Sequence, residues 1–333
     1  MSERQRPNFL IFVTDEQPGH MLGCDGHPVV QTPNLDRLAE EGVRFSRCYT
    51  MHPMCMTTRS TWFTGRTPLG HGVRCNGIPL DPCLPTMPDA LRRSGYMTHG
   101  IGKHHLTPWG AQRDTDPETL DPLDWPECRQ MWNNNRIGAI PTPYYGLETM
   151  DFTGGNGNGI YGDYVAWATE REPRWREIMA PPPLQPGETA LRRVWRNELP
   201  AELHYTQWMT ERSVAAMRRS QAQERPFFIW HSFPDPHPPY TAPEPWGSMY
   251  DPADVPDPNR REGELDGLAP HMAMQFRERF LTSGCMGLTD IPDEHNRRMA
   301  AMTYGMVSQI DHQIGQVLAE LDRLGMRENT VVV

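Results

Sequence analysis

The chain has 333 residues, 37% hydrophobic and 22% charged, with a formal net charge of -10; these are the values of a globular protein able to bury a sizeable core. The acidic balance argues against nucleic acid as a partner, because proteins that grip phosphate backbones carry a basic face. No apolar run approaches the ~18 residues of a membrane span and the N-terminus lacks a signal-peptide core, so the expectation is a soluble, cytoplasmic protein without a membrane partner.

Seven cysteines without a C-x-x-C pair indicate neither a disulfide framework nor a zinc ribbon, which fits a reducing compartment. The 34 prolines predict long irregular segments.

In chain order, the apolar run from residue 8 ends in Thr14-Asp15-Glu16. It reads as a buried parallel strand delivering two carboxylates at its C-terminal end, where ligands sit in open α/β sheets. Residues 32–42 read as a helix, with Thr32 as N-cap, Pro33 at the first position and Gly42 as the stop. Val43 to Thr50 then reads as a second strand.

It leads into His52-Pro-Met-Cys-Met-Thr-Thr-Arg-Ser-Thr-Trp-Phe-Thr-Gly-Arg66, the stretch around which the chain is organised. Cys55 opens a short helix, with Arg59 one turn on. Backbone N–H groups at a helix start and a nearby arginine suit a thiol that faces an oxyanion. The other reading is a small buried cysteine beside a surface arginine.

A helix near Met87 to Ser94 and a strand from Tyr96 to Ile101 follow, the strand ending in Gly102-Lys103-His104-His105. Residues 107 to about 200 hold most of the tryptophans and read as an insertion over the sheet edge. Within it, Gly154 to Gly159 lacks the flanking strand and helix of a phosphate loop and reads as a flexible turn. An amphipathic helix from Tyr205 precedes a buried strand, 226–233, which delivers His237 in a proline-stiffened turn. Residues 241–290 form a second Pro-rich excursion. A long helix from Asp293 to Leu324 then leads into a strand beginning at Thr330.

Polar groups therefore gather at successive strand ends: Asp15 and Glu16, Cys55 and Arg59, Lys103 and His105, and His237. Taken singly, each could be an ordinary loop or turn residue. Together at one edge of a parallel sheet they have the arrangement of an active site. There is no H-E-x-x-H helix, and a cysteine-phosphatase loop would need arginine where Thr61 stands. Carboxylate donors favour a hard cation, Ca²⁺ ahead of Mg²⁺ or Mn²⁺.

These motifs resemble those of the sulfatases of the alkaline phosphatase superfamily. Asn8-Phe-Leu-Ile-Phe-Val-Thr-Asp-Glu-Gln17 is similar to the family's first metal-binding strand, and Thr32 to Gly42 to its first helix. Cys55-Met-Thr-Thr-Arg59 with Thr64-Gly-Arg66 resembles the C-x-P-x-R signature and its T-G-R tail. Gly102-Lys-His-His-Leu106 is similar to G-K-W-H-L, Asp235-Pro-His-Pro-Pro-Tyr240 to the sulfate-proximal histidine turn, and Tyr304 to Leu318 to the helix before the last metal strand.

The resemblance implies an alkaline-phosphatase-like α/β fold with a mostly parallel sheet. Residues 1–333 would form the N-terminal portion of one catalytic domain, with insertions at 107–204 and 241–290 and without the smaller C-terminal subdomain. It further implies that Cys55 becomes formylglycine, made by a formylglycine-generating enzyme, and that Asp15, Glu16 and the modified Cys55 bind a divalent cation. Arg59, Lys103, His105 and His237 would be catalytic, and Asn76 would bind a small-molecule sulfate ester. A phosphonate monoester hydrolase or phosphodiesterase on the same fold is the alternative enzyme, and a non-catalytic binder of sulfated ligands is the alternative of another class. Thr57 stands where the signature has proline, and Glu16 where Asp or Gln is more common. The family's second metal pair and a later lysine fall beyond Val333.

Overall fold

The computed structural model describes residues 6–110, 119–183, 194–257, 263, 266–271 and 293–333. Five consecutive apolar residues drive the first strand, β1 (Asn8–Val13), into the interior. Next come helices α1 (Pro33–Glu41), α2 (Cys55–Thr64) and α3 (Met87–Arg93), and then β2 (Met97–Gly102). The chain continues through β3 (Thr149–Gly154), β4 (Tyr161–Gly162), β5 (Val194–Arg196), α4 (Tyr205–Ala222), β6 (Phe227–Ser232) and β7 (Tyr240–Ala242). It ends in the long α5 (Asp293–Arg323) and β8 (Thr330–Val332).

The main sheet has the order β4-β3-β2-β6-β1-β8, while β5 and β7 form a separate pair. Within the main sheet only the β3–β4 pairing is antiparallel. Every residue of β2 and β6 is buried, as expected for central parallel strands covered on both faces. One face packs Leu10, Phe227 and Ile229 against apolar residues of α4 and α5. The other packs Val13, Phe228 and Trp230 against Met56 and Phe63 of α2. This is the layered arrangement of an alkaline-phosphatase-like α/β protein.

Register decides where the site forms. Val13 and Gly102 both lie opposite Ser232, so three strands end in one row. Pairing continues past the strands: Phe233 donates its N–H to Val13 O (2.8 Å), Lys103 to Ser232 O (2.9 Å) and Asp15 to Asp235 O (2.9 Å). At Gly102, φ is +81° and a Cβ would lie 2.2 Å from Ser232 O. Only glycine allows that approach while the chain turns toward Lys103.

Four local readings differ from the structure. Val43 to Thr50 forms no strand, and Val43, Phe45 and Tyr49 are 79%, 77% and 84% exposed. Their alternation has the strand period, but the segment meets no sheet edge that could use it. Residues 107–204, expected to be an insertion, also build the sheet, because β3 pairs with β2 over Gly102 and Phe152. The glycine run is a packed turn: a Cβ at Gly155 would lie 2.3 Å from Gly159 O, one at Gly157 would lie 3.0 Å from Pro239 Cγ, and Asn156 Nδ2 donates to Pro234 O at 2.8 Å. Much of the second Pro-rich excursion, residues 258–262, 264–265 and 272–290, lies outside the described residues.

The fourth difference concerns α1. Thr32 occupies the N-cap position but makes no capping bond; its hydroxyl accepts from Gly23 N–H and donates to Asp36. The cap comes from α5 instead. Asp311, 2% exposed, accepts the N–H groups of Leu35 (2.8 Å) and Asn34 (3.1 Å) and the Asn34 amide (2.8 Å). A carboxylate at a helix start meets both the unpaired donors and the dipole. Asp311→Ala should therefore lower the unfolding free energy by about 2 kcal/mol, read from urea titration. An unchanged midpoint would show that the cap is dispensable.

Candidate active site

Asp15, 6% exposed, stands just past β1 where neighbouring strand ends converge. One carboxylate oxygen contacts Lys103 Nζ, and the other lies 3.6 Å from Arg59 Nη2. Burial alone would push this carboxyl up, but the charges of Lys103, Arg59 and His237 prevail and hold it well below the usual carboxylate range. Arg59, 2% exposed, also donates from Nη1 to Lys103 O (2.8 Å) and Ser232 Oγ (2.7 Å). One guanidinium thus joins α2 to the ends of β1, β2 and β6, using its planar array of donors.

Cys55, half-buried, is the first residue of α2. Asn76 Oδ1 accepts the N–H of Met56 (3.1 Å), supplying the helix start that Met54 leaves uncapped, and its Nδ2 faces Cys55 Sγ at 3.7 Å. Thr57 fits the helix without change of course. It is the third helical residue, where a missing N–H would cost little, and its buried hydroxyl has no hydrogen-bond partner.

Lys103 is fully buried, and its Nζ sits 4.5 Å from the centre of the Trp109 ring. His105 stacks on the same ring, centroids 4.2 Å apart. Burial, reinforced by Lys103 and Arg59, holds the His105 imidazole well below its ordinary value, so the ring is neutral. His237 donates from Nδ1 to Pro238 O (2.7 Å), and its Nε2 lies 3.4 Å from Glu16 Oε1.

The expected residues therefore fall into three contacting groups. Asp15, Arg59 and Lys103 form a buried ionic centre; Cys55 and Asn76 sit at the start of α2; Glu16 and His237 pair nearer the surface. His105 and His237 are linked to the first group electrostatically. Four participants carry no sequence signature. Ser232 anchors Arg59, Trp109 underlies Lys103 and His105, Glu127 receives the N–H groups of residues 105–107, and Tyr205 donates to buried Asp235 at 2.7 Å. Only Ser232 lay within reach of sequence reasoning, as the last residue of a recognisable strand.

Asp15, Glu16 and Cys55 differ in their facing partners, and no group of three or more His, Cys, Asp or Glu donors converges among the described residues. Asp15 turns both oxygens to cationic side chains, and the Glu16 side chain is 50% exposed. A divalent hard cation wants six or more oxygen donors, so this set does not by itself fit one.

A mostly parallel sheet whose strand ends bring together a carboxylate, two buried cations and a helix-starting cysteine marks an α/β protein of the alkaline-phosphatase-like class. The family model for Sulfatase matches residues 7–333, and the chain belongs to the sulfatase family. It is 28% identical to the multifunctional alkaline phosphatase superfamily protein PehA of Trinickia caryophylli, over 98% of this chain and 62% of that protein. It is 26% identical to an arylsulfatase of Clostridium perfringens (strain 13 / Type A), over 98% of this chain and 61% of the relative. Among solved structures, the phosphonate monoester hydrolase of Agrobacterium radiobacter aligns with a TM-score of 0.75 and 26% identity, over 98% of this chain and 61% of that one. The chain thus spans less than two thirds of the length of these relatives. No helix among the described residues is long and apolar enough to cross a membrane.

Arg59→Ala would leave Asp15 with one cation and strand the buried acceptors at Lys103 O and Ser232 Oγ. We expect a loss of about 3 kcal/mol in unfolding free energy, against about 1 kcal/mol for Ser232→Ala, both measured by denaturant unfolding. Equal losses would mean that the guanidinium works only through the serine.

Proposed function

We propose that the protein hydrolyses sulfate esters, with the anionic headgroup received beside Cys55 by Arg59 and Lys103. The observation that carries this reading is the charge count of the buried centre. Two buried cations share the carboxylate of Asp15, so these three side chains together carry an excess of positive charge, and a sulfate monoester is an anion. The family supplies the chemical class.

Each residue then has a task. Arg59 holds the start of α2 against the strand ends and fixes the position of Cys55. Conversion of Cys55 to formylglycine by a formylglycine-generating enzyme supplies a hydrate hydroxyl as the oxygen nucleophile. Asn76 orients that group from the side, as its amide already faces the sulfur. Lys103 meets the charge that builds on the sulfonyl oxygens as the ester bond breaks. Neutral His105 offers a ring nitrogen for hydrogen bonding, and His237, oriented by the Nδ1 bond to Pro238 O, offers Nε2 for proton exchange with nucleophile or leaving alcohol. Were a divalent cation bound, Asp15 and Glu16 would be the chain's carboxylate contribution, with Ca²⁺ the ion best matched to oxygen donors; Asp15 would have to give up a contact to Arg59 or Lys103, and further ligands would be needed.

A second reading is supported by structural likeness. The TM-score is 0.75 to a phosphonate monoester hydrolase but 0.57 to a putative sulfatase, yidJ, from Bacteroides fragilis. Phosphonate monoesters and phosphate diesters also carry one negative charge, so the charge count admits them.

Full-length protein co-produced with a formylglycine-generating enzyme should show, in the Cys55 peptide, the mass loss of thiol-to-aldehyde conversion. It should hydrolyse an aryl sulfate faster than a phosphonate monoester or phosphate diester, and Lys103→Ala should lower the sulfate kcat/KM by about 100-fold. Faster phosphonate cleavage would establish the second reading. An unconverted Cys55 together with tight binding of sulfated ligands would leave a non-catalytic binder.

A further inference from the structure

Glu127 is fully buried, yet its carboxylate collects five donors. Oε2 accepts the N–H of His105 at 2.5 Å and Trp109 Nε1 at 3.3 Å. Oε1 accepts the N–H groups of Leu106 (2.7 Å) and Thr107 (3.2 Å) and the Tyr144 hydroxyl (2.6 Å). Three successive backbone N–H groups converging on one anion form a concave cradle of the kind that binds free anions. Here the protein's own carboxylate fills it.

The cradle has a conformational reason. His105 has φ of +53°, a left-handed backbone that costs a residue with a Cβ roughly 1 kcal/mol or more. Turning the chain there aims successive N–H groups the same way, and the bonds to Glu127 offset the strain. The same residue fixes the aromatic floor, because Trp109 donates to Glu127 while its ring lies under Lys103 and His105. Glu127 is itself secured from behind: Tyr161 donates its hydroxyl to the Glu127 carbonyl at 2.7 Å, and Arg129 N–H bonds to Trp109 O at 2.9 Å.

We infer that Glu127 is a positioning residue, which holds residues 103–109 in the one backbone course that sends Lys103 to Asp15 and lays His105 on Trp109. It touches neither nucleophile nor ester, and acts through those two side chains. It also keeps the amide cradle closed to the substrate's anionic group, so that Arg59 and Lys103 are left as the cations that receive it. The consequence for rate rests on the hydrolase reading above; the cage itself does not.

Glu127→Gln is the direct test, since an amide keeps the shape but turns an NH₂ toward at least two of the five donors. In the full-length protein, hydrogen exchange in a peptide covering residues 103–108 should speed up about tenfold or more, with the β6 peptide unchanged. If the variant does not fold, Tyr144→Phe, which removes one donor, should give a smaller acceleration confined to the same peptide. Unchanged or uniformly altered exchange would overturn the proposal. With aryl sulfate as the probe, Glu127→Gln should lower kcat about 30-fold with KM within about threefold, as expected when a charged group is misplaced by less than 1 Å. In a Lys103→Ala background the same substitution should cost no more than about threefold; full additivity would mean that Glu127 does not act through the lysine. A wild-type protein that cleaves none of the tested esters would defeat the functional reading alone, and the exchange result would still decide the cage.

Discussion

The structure turns on a carboxylate shared by two buried cations. Asp15 cannot be buried without them, since an isolated carboxylate in a dry interior would sooner take up a proton than remain charged. Lys103 and Arg59 are no better placed without Asp15. This mutual dependence ties the end of β1 to the end of β2 and to the first helical turn after Cys55. The three pieces are distant in sequence; Val13 at the end of β1 and Met56 in the first turn of α2 share one apolar cluster, and the ionic contacts join the polar groups that lie just beyond it. Ionic geometry acts there together with the packing of α2 on the sheet and with the strand register.

That centre is held by backbone as much as by charge. Because Val13, Gly102 and Ser232 end in register, the bonds that continue beyond them keep the following residues close. Gly102 is decisive, since any side chain there would strike the Ser232 carbonyl and force β2 away from β6. Lys103 would then lose its reach to Asp15.

How much of this the sequence discloses follows from what each feature depends on. β1, β2 and β6 are legible because a strand buried on both faces must be apolar at successive positions. The polar residues after them are legible as a group, because a carboxylate, a lysine and two histidines after apolar runs have a common address in an α/β sheet. Val43 to Thr50 has the right alternation and fails as a strand, because pairing needs a neighbour that local sequence does not specify. Thr32 stands at the expected helix boundary, yet its hydroxyl serves Gly23 and Asp36 while Asp311, far along the chain, does the capping. Glu127 is the extreme case: one acidic residue between Pro126 and Cys128, whose meaning exists only once residues 105–107 present their amides. β3 was hidden for a related reason, since Thr149-Met-Asp-Phe-Thr-Gly154 alternates but offers only two apolar residues, and its place beside β2 is not specified locally.

The tryptophan-rich stretch after residue 107 is joined to the site at two separate points. Glu127 holds the turn carrying Lys103 and His105, and Asn156 with the packed glycines braces the turn carrying His237. A chimera that exchanged this stretch for the corresponding piece of another family member would therefore also exchange the supports of two turns of the candidate site. The graft would have to retain Glu127, Trp109, Asn156 and Gly157 while replacing the residues between them. For this protein, remodelling is confined between fixed anchors, and β3, which pairs with β2, is one more piece that the graft must keep.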